Sequence, residues 1–187
     1  TGDATITSVD NALLTLKSTC GQGEKADIAS DGNLIFENAN IAISGDDNPT
    51  YGDQTASIYV TGGDFIVKGG TLVIADDSQM FKQIKVTKDA EGNGGNVIIR
   101  GGANVTSTRV GSDTTHSSYK PLIDTEGVLR VYSDSTVSLA GHAQLFRNIP
   151  EIVGYCTHTR VTESNLASTQ VFTVTPTACP HANLTAY

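Results

Sequence analysis

Two tripeptides carry the most pointed chemistry in this chain, Cys156-Thr157-His158 and Cys179-Pro180-His181. Two thiols and two imidazoles form a ligand set for tetrahedral zinc. Structural zinc sites usually separate paired ligands by roughly two to four residues, and a single intervening residue cramps chelation. The simpler expectation is a disulfide, Cys156–Cys179, closing a loop of 24 residues. Such a bridge stabilises by about 3 kcal/mol in the chain-entropy picture. Cys20 is then left over, as an intermolecular bond or a free thiol.

Acidic groups are the second source of chemistry. Asp46, Asp47, Asp76, Asp77 and Asp113 stand in polar, turn-rich stretches, with Tyr51 and Tyr119 nearby. Carboxylates gathered from neighbouring segments make a hard oxygen site suited to Ca²⁺. A carboxylate pair also does acid–base work on glycosidic bonds. The plain alternative is turn aspartates accepting backbone hydrogen bonds. No catalytic residues are assigned, because no segment pairs two acids with an Arg or Lys on one strand face. The sequons Asn104-Val105-Thr106 and Asn183-Leu184-Thr185 mark candidate glycosylation sites. The chain has neither a phosphate-binding glycine loop nor a G-x-S-x-G elbow.

Composition narrows the partners. Among 187 residues, 20 Asp+Glu face 12 Lys+Arg, a formal charge of -8. Nucleic acid and anionic membrane surfaces call for the opposite sign. No apolar run is long enough to span a bilayer. The opening TGDATITS has neither a basic segment nor an apolar one, so no signal peptide is expected within this chain. A Thr- and Ser-rich, lysine-poor surface points to an extracellular or cell-surface setting.

The elements that position these groups repeat. A glycine precedes an alternating apolar stretch four times: GNLIFENANIAIS from Gly32, GDFIVKGGTLVIA from Gly63, GNVIIRGGANVTS from Gly95 and GVLRVYSDSTVSL from Gly127, at intervals of 31, 32 and 32 residues. A weaker copy starts at Gly2, 30 residues before Gly32. Two positions after the glycine stand Leu34, Phe65, Val97 and Leu129; four after it stand Phe36, Val67, Ile99 and Val131. Residues two apart share a strand face, so these columns should be buried together. Five after the glycine, Glu37 falls in the column of Lys68, an expected cross-strand pair. A second strand follows each first one, and the third and fourth copies need one extra residue in the turn between. Gly69-Gly70 marks that turn in one copy; since other copies use Asn, Ala, Ser and Asp, glycine there reads as convenient rather than obligatory. A further strand precedes each glycine, at 26–30, 56–61, 83–87 and 121–125.

Three short strands per coil with stacked equivalents predict an all-β fold, a parallel β-helix (β-solenoid) of about 31–32 residues per coil. The alternative is a β-sandwich or jelly roll, which gives the spacing no reason to recur. The expected organisation is solenoid repeats over 1–140, with 1–25 a candidate N-terminal cap, and a C-terminal cap over 141–187 that carries the disulfide. Segment 8–18 reads as a helix capped by Ser8 or as a strand pair. After Leu139 the repeat fades, and a short helical turn ending at Pro150 is expected. The long loops 45–55, 88–95 and 111–119 are the places for per-coil binding residues.

The G-x-apolar-x-apolar units of residues 26–140 resemble the glycine-punctuated β-helical regions of bacterial surface proteins and phage tail fibres. The resemblance implies an extracellular structural or adhesive role and no catalytic residues. The expectation is therefore a non-enzymatic structural or adhesive module, a candidate self-assembling fibre or filament subunit, with no cofactor beyond candidate Ca²⁺. Its partners are copies of itself or a surface glycan or protein, not nucleic acid and not the membrane interior. The alternative is a carbohydrate-binding or carbohydrate-cleaving β-helix.

Overall fold

A computed structural model describes residues 2–17, 26–44, 56–75, 82–109, 121–142, 145–153, 164–166 and 169–175. The strands are β1 (Ala4–Thr7), β2 (Leu13–Lys17), β3 (Ala26–Ser30), β4 (Leu34–Ser44), β5 (Ala56–Thr61), β6 (Phe65–Ala75), β7 (Lys82–Thr87) and β8 (Val97–Arg100). They continue with β9 (Asn104–Thr108), β10 (Ile123–Thr125), β11 (Leu129–Tyr132), β12 (Thr136–His142), β13 (Glu151–Val153), β14 (Ser164–Leu166) and β15 (Thr169–Val174). The chain is a β-solenoid of about 3 turns with parallel, stacked coils.

The stack has three faces. The first is β1, the front half of β4, the front half of β6, β8, β11 and β13, all parallel. The second is β2, the back halves of β4 and β6, β9 and β12, again parallel. The third is β3, β5, β7 and β10. Pairing puts Leu34 on Phe65, Phe65 on Val97 and Val97 on Leu129, the column expected from the repeat. All four side chains are buried, as are Phe36, Val67, Ile99 and Val131 beside them. Phe36 and Phe65 meet edge to face with centroids 5.0 Å apart, a favoured aromatic geometry. The third face adds an isoleucine column, Ile28, Ile58, Ile84 and Ile123. Each coil buries its inner face only against the next, so these columns are the core.

The corner between the first two faces follows the expected count. Lys68 pairs with Arg100, and Thr71 with Asn104, so the third copy holds one more residue than the second. Gly69 and Gly70 both have φ +74° there, and a Cβ on Gly70 would lie 2.2 Å from the Ala39 carbonyl oxygen. Glycine at this corner is therefore required, which corrects the expectation that it is only convenient. The equivalent first-copy corner turns through Asn38 at φ 49°, a residue that tolerates the left-handed region. At Gly63 the constraint is proximity: a Cβ would stand 2.3 Å from the Gly32 carbonyl carbon, on the coil beneath.

The two ends differ from expectation. Residues 8–17, the described part of that segment, form neither a helix nor a strand pair: a single 3-10 turn, Val9–Asn11, leads into β2, which pairs in parallel with β4. The Ser8 hydroxyl caps no helix; it accepts the Asn40 N–H at 2.8 Å. Nor does stacking stop at Leu139. Ile123 bridges Phe146, and Arg130 pairs with Glu151 only 21 residues ahead. The described residues of that stretch hold no helical turn. The last coil is shorter and lacks a leading glycine, which hides it from a search for the repeat. β15 then runs antiparallel to β12, with β14 beyond it.

Candidate functional site

The connections leaving the second face share one corner. β4 ends at Ser44, β6 at Ala75 and β9 at Thr108, and Ser44 pairs with Ala75 and Ala75 with Thr108. The chain returns at Ala56, which pairs with Lys82, and Ile84 pairs with Ile123. Segments 45–55, 76–81 and 110–120 are thus anchored at both stems on adjacent rungs, about 4.8 Å apart. Residues Asp46, Asp47, Tyr51, Asp76, Asp77, Asp113 and Tyr119 belong to these segments and lie outside the described residues, as do Cys20, Cys156, Cys179 and Asn183. Among the described residues no group of three or more His, Cys, Asp or Glu is placed to hold a metal. No described helix is long and apolar enough to cross a membrane.

Segment 88–95 departs from the other loops. It joins β7 to β8, at the corner between the third and first faces, and folds on itself. Asp89 accepts the Asn93 N–H at 2.7 Å and its side-chain N–H at 3.0 Å, which holds the carboxyl below its ordinary range. Asn104, the one sequon asparagine among the described residues, opens β9 on the second face and is exposed.

Beneath the shared corner sits a buried polar cluster that the repeat pattern does not announce. Ser107 occupies the column of Ile74 and Leu139 and is fully buried. Its hydroxyl donates to the Gln83 side-chain oxygen, and Gln83 Nε2 donates to the Thr108 carbonyl at 2.8 Å. Arg109 is 2% exposed and its N–H donates to Ala140 O at 2.9 Å. Buried polar groups persist where they are mutually satisfied, so this cluster fixes the root of segment 110–120. The sequence signal was one serine in an otherwise aliphatic column.

A second motif lies one position after the glycines, at Asp3, Asn33, Asp64 and Asn96. Asp3 Oδ1 accepts the Asn33 N–H at 3.2 Å, Asn33 Oδ1 that of Asp64 at 2.8 Å, and Asp64 Oδ1 that of Asn96 at 3.0 Å. Asn96 Oδ1 accepts the Val128 N–H at 2.9 Å. Every bond runs the same way, from the upper backbone to the lower side chain. The ladder stops at Val128, which has no side-chain acceptor.

Outer faces carry the charge. Lys68 Nζ lies 2.6 Å from Glu37 Oε1, as the column predicted, and Arg130 pairs with Glu151 at 2.9 Å. On the third face Lys85 stands 4.7 Å over the Tyr59 ring, and Arg147 lies 3.4 Å from Asp124. Each of these charged groups is paired across neighbouring rungs. Scans of protein-family models, curated proteins and solved structures each found no match.

Proposed function

We propose that this chain is a non-enzymatic, extracellular structural or adhesive module: a stiff rod of stacked rungs that joins neighbouring β-structure and displays its loops to a surface. The observation that carries the reading is the shared corner, where the stems of segments 45–55, 76–81 and 110–120 stack on consecutive rungs. A solenoid that gathers its insertions on one side is built to present them. The likeness of the repeat to β-helical regions of bacterial surface proteins and phage tail fibres supports the same role.

The same corner favours a second reading, carbohydrate binding through the aspartates and tyrosines of those segments. Replacing the three segments together with Gly-Ser linkers tests both. The structural and adhesive reading expects an unchanged far-ultraviolet circular dichroism spectrum, loss of surface adhesion, and fibres or larger assemblies by electron microscopy only in mixtures that supply partner β-structure. Glycan-array binding lost with the segments favours the carbohydrate reading. Release of reducing sugar by the intact chain would overturn the non-enzymatic assignment.

A further inference from the structure

One dipeptide of the chain carries chemistry that needs no ligand: Asn93-Gly94, in segment 88–95. An asparagine followed by glycine is open to attack on its side-chain carbonyl, because no Cβ shields the next amide nitrogen. The fold places both partners. Gly94 lies against the coil beneath, where a Cβ would stand 2.8 Å from Gly63 Cα, so packing requires glycine after Asn93. Asn93 is exposed, and the Gly94 N–H makes no hydrogen bond among the described residues. The leaving group, by contrast, is held. Asn93 Nδ2 donates to Asp89 Oδ2 at 3.0 Å, and Asn93 N–H donates to Asp89 Oδ1 at 2.7 Å. Closing a ring onto the Gly94 nitrogen turns the Asn93 side chain and breaks the Nδ2 bond.

We propose that Asn93 is a self-modification site, an asparagine that converts to aspartate or isoaspartate at a rate restrained by the Asp89 carboxylate. The Gly94 nitrogen bonds to Asn93 Cγ, and the Cγ–Nδ2 bond breaks. Ammonia leaves with the proton that Gly94 gives up, and a cyclic imide remains. Water then opens one of the two imide carbonyls. Opening at Cγ gives aspartate. Opening at the main-chain carbonyl gives isoaspartate, which adds a methylene to the backbone. No oxidant or reductant takes part. Either product loses the Nδ2 donor and sets a second carboxylate against Asp89. The turn also ties neighbouring coils together. Lys88 N–H donates to Glu126 Oε2 at 2.9 Å, Gly95 N–H to Gly63 O at 2.9 Å and Gly127 N–H to Gly95 O at 2.8 Å. Conversion therefore loosens the corner between the third and first faces. The inference stands apart from the structural and adhesive reading and does not depend on it.

The test holds the intact chain at physiological temperature and neutral pH. The tryptic peptide 89–100 is then followed by mass spectrometry, with fragmentation that separates isoaspartate from aspartate. Asn96 lies in the same peptide but precedes Val97, so it is the internal control. Asn93 is expected to convert while Asn96 stays intact. Asp89→Ala, checked as folded by circular dichroism, should convert Asn93 about tenfold faster, the loss of one hydrogen bond to a charged group. Asp89→Asn should fall between the two. In urea both chains should convert at one rate, because the restraint is gone. Equal folded-state rates for the unsubstituted chain and Asp89→Ala overturn the proposal, as does an Asn93 that stays intact in both. Should Asp89→Ala not fold, the unsubstituted chain decides alone: conversion as fast when folded as in urea overturns the proposal. Converted chains, separated by their extra negative charge, should melt below unconverted ones. Equal melting temperatures would overturn the loosened corner.

Discussion

The first and the last described rungs of this rod are packed differently. At the C-terminal end the second face is covered. β15 lays Phe172 and Val174 over the Leu139 and Val137 columns, and both are buried. Phe146 meets Phe172 edge to face at 5.2 Å. Asn148 Nδ2 donates to the carbonyls of Thr125 and Gly127 at 3.1 and 2.7 Å, taking up acceptors that a further coil would otherwise use. Among the described residues, the first rung has nothing packed beneath the same columns: Leu14 is exposed, and Ile6 and Leu16 are only partly buried. An unpaired strand edge above an apolar core is a template for another strand. The contrast teaches that covering a rung takes only a few residues: here an antiparallel strand, a phenylalanine and an asparagine.

Paired substitutions at the two ends sharpen the contrast. Phe172→Ala should cost about 3–5 kcal/mol in chemical denaturation, the usual range for emptying a buried aromatic site. Leu14→Ala should cost about 1 kcal/mol or less. Equal effects would mean that the N-terminal rung is as well packed as the cap. Next in size, Gly63→Ala should destabilise by about 1–3 kcal/mol through overpacking against the coil beneath, whereas Gly2→Ala should leave the denaturation midpoint unchanged. Third, Asn96→Ala removes an acceptor for Val128 N–H and a donor to Asp64, and should cost about 1–3 kcal/mol. Asp3→Ala, at the exposed start of the ladder, should cost only a few tenths of that.

The smallest effect lies midway between the ends and serves as a reference for both. Hydrogen bonding and then charge attraction from Lys68 lower the Glu37 pKa below its ordinary 4.5. A lowered carboxylate pKa contributes stability above the unfolded value and loses it as pH falls through the folded value. Because the pair is exposed, the contribution is slight. An NMR titration should find the Glu37 midpoint below 4.5, and Lys68→Met should return it toward the ordinary value. A midpoint unmoved by that change would remove the pair as the cause.

Much of the fold was legible because a β-solenoid writes its packing into the chain at a fixed interval. Leu34, Phe65, Val97 and Leu129 could be aligned by counting, and so could Glu37 with Lys68. The last coil was not legible: Arg130 and Glu151 stand 21 residues apart, with no glycine to mark the new rung. Ser107 stood out as a serine in an aliphatic column, but its partner Gln83 did not, because their bond spans two faces and 24 residues of sequence. The Gly-Asx dipeptides were visible, but the direction of their hydrogen bonds was not.

Sequence alone determined the period, the inward columns, the extra corner residue and the acidic, polar surface, since each depends only on residue type and spacing. The tertiary structure decided what depends on a neighbour across the stack. It made Gly69-Gly70 a necessity, brought three loop stems to one corner and gave the side-chain ladder its polarity. It also laid an antiparallel strand, β15, over the last strand of the second face. A side chain's type is written locally, but the void or backbone it will face belongs to the coil above or below.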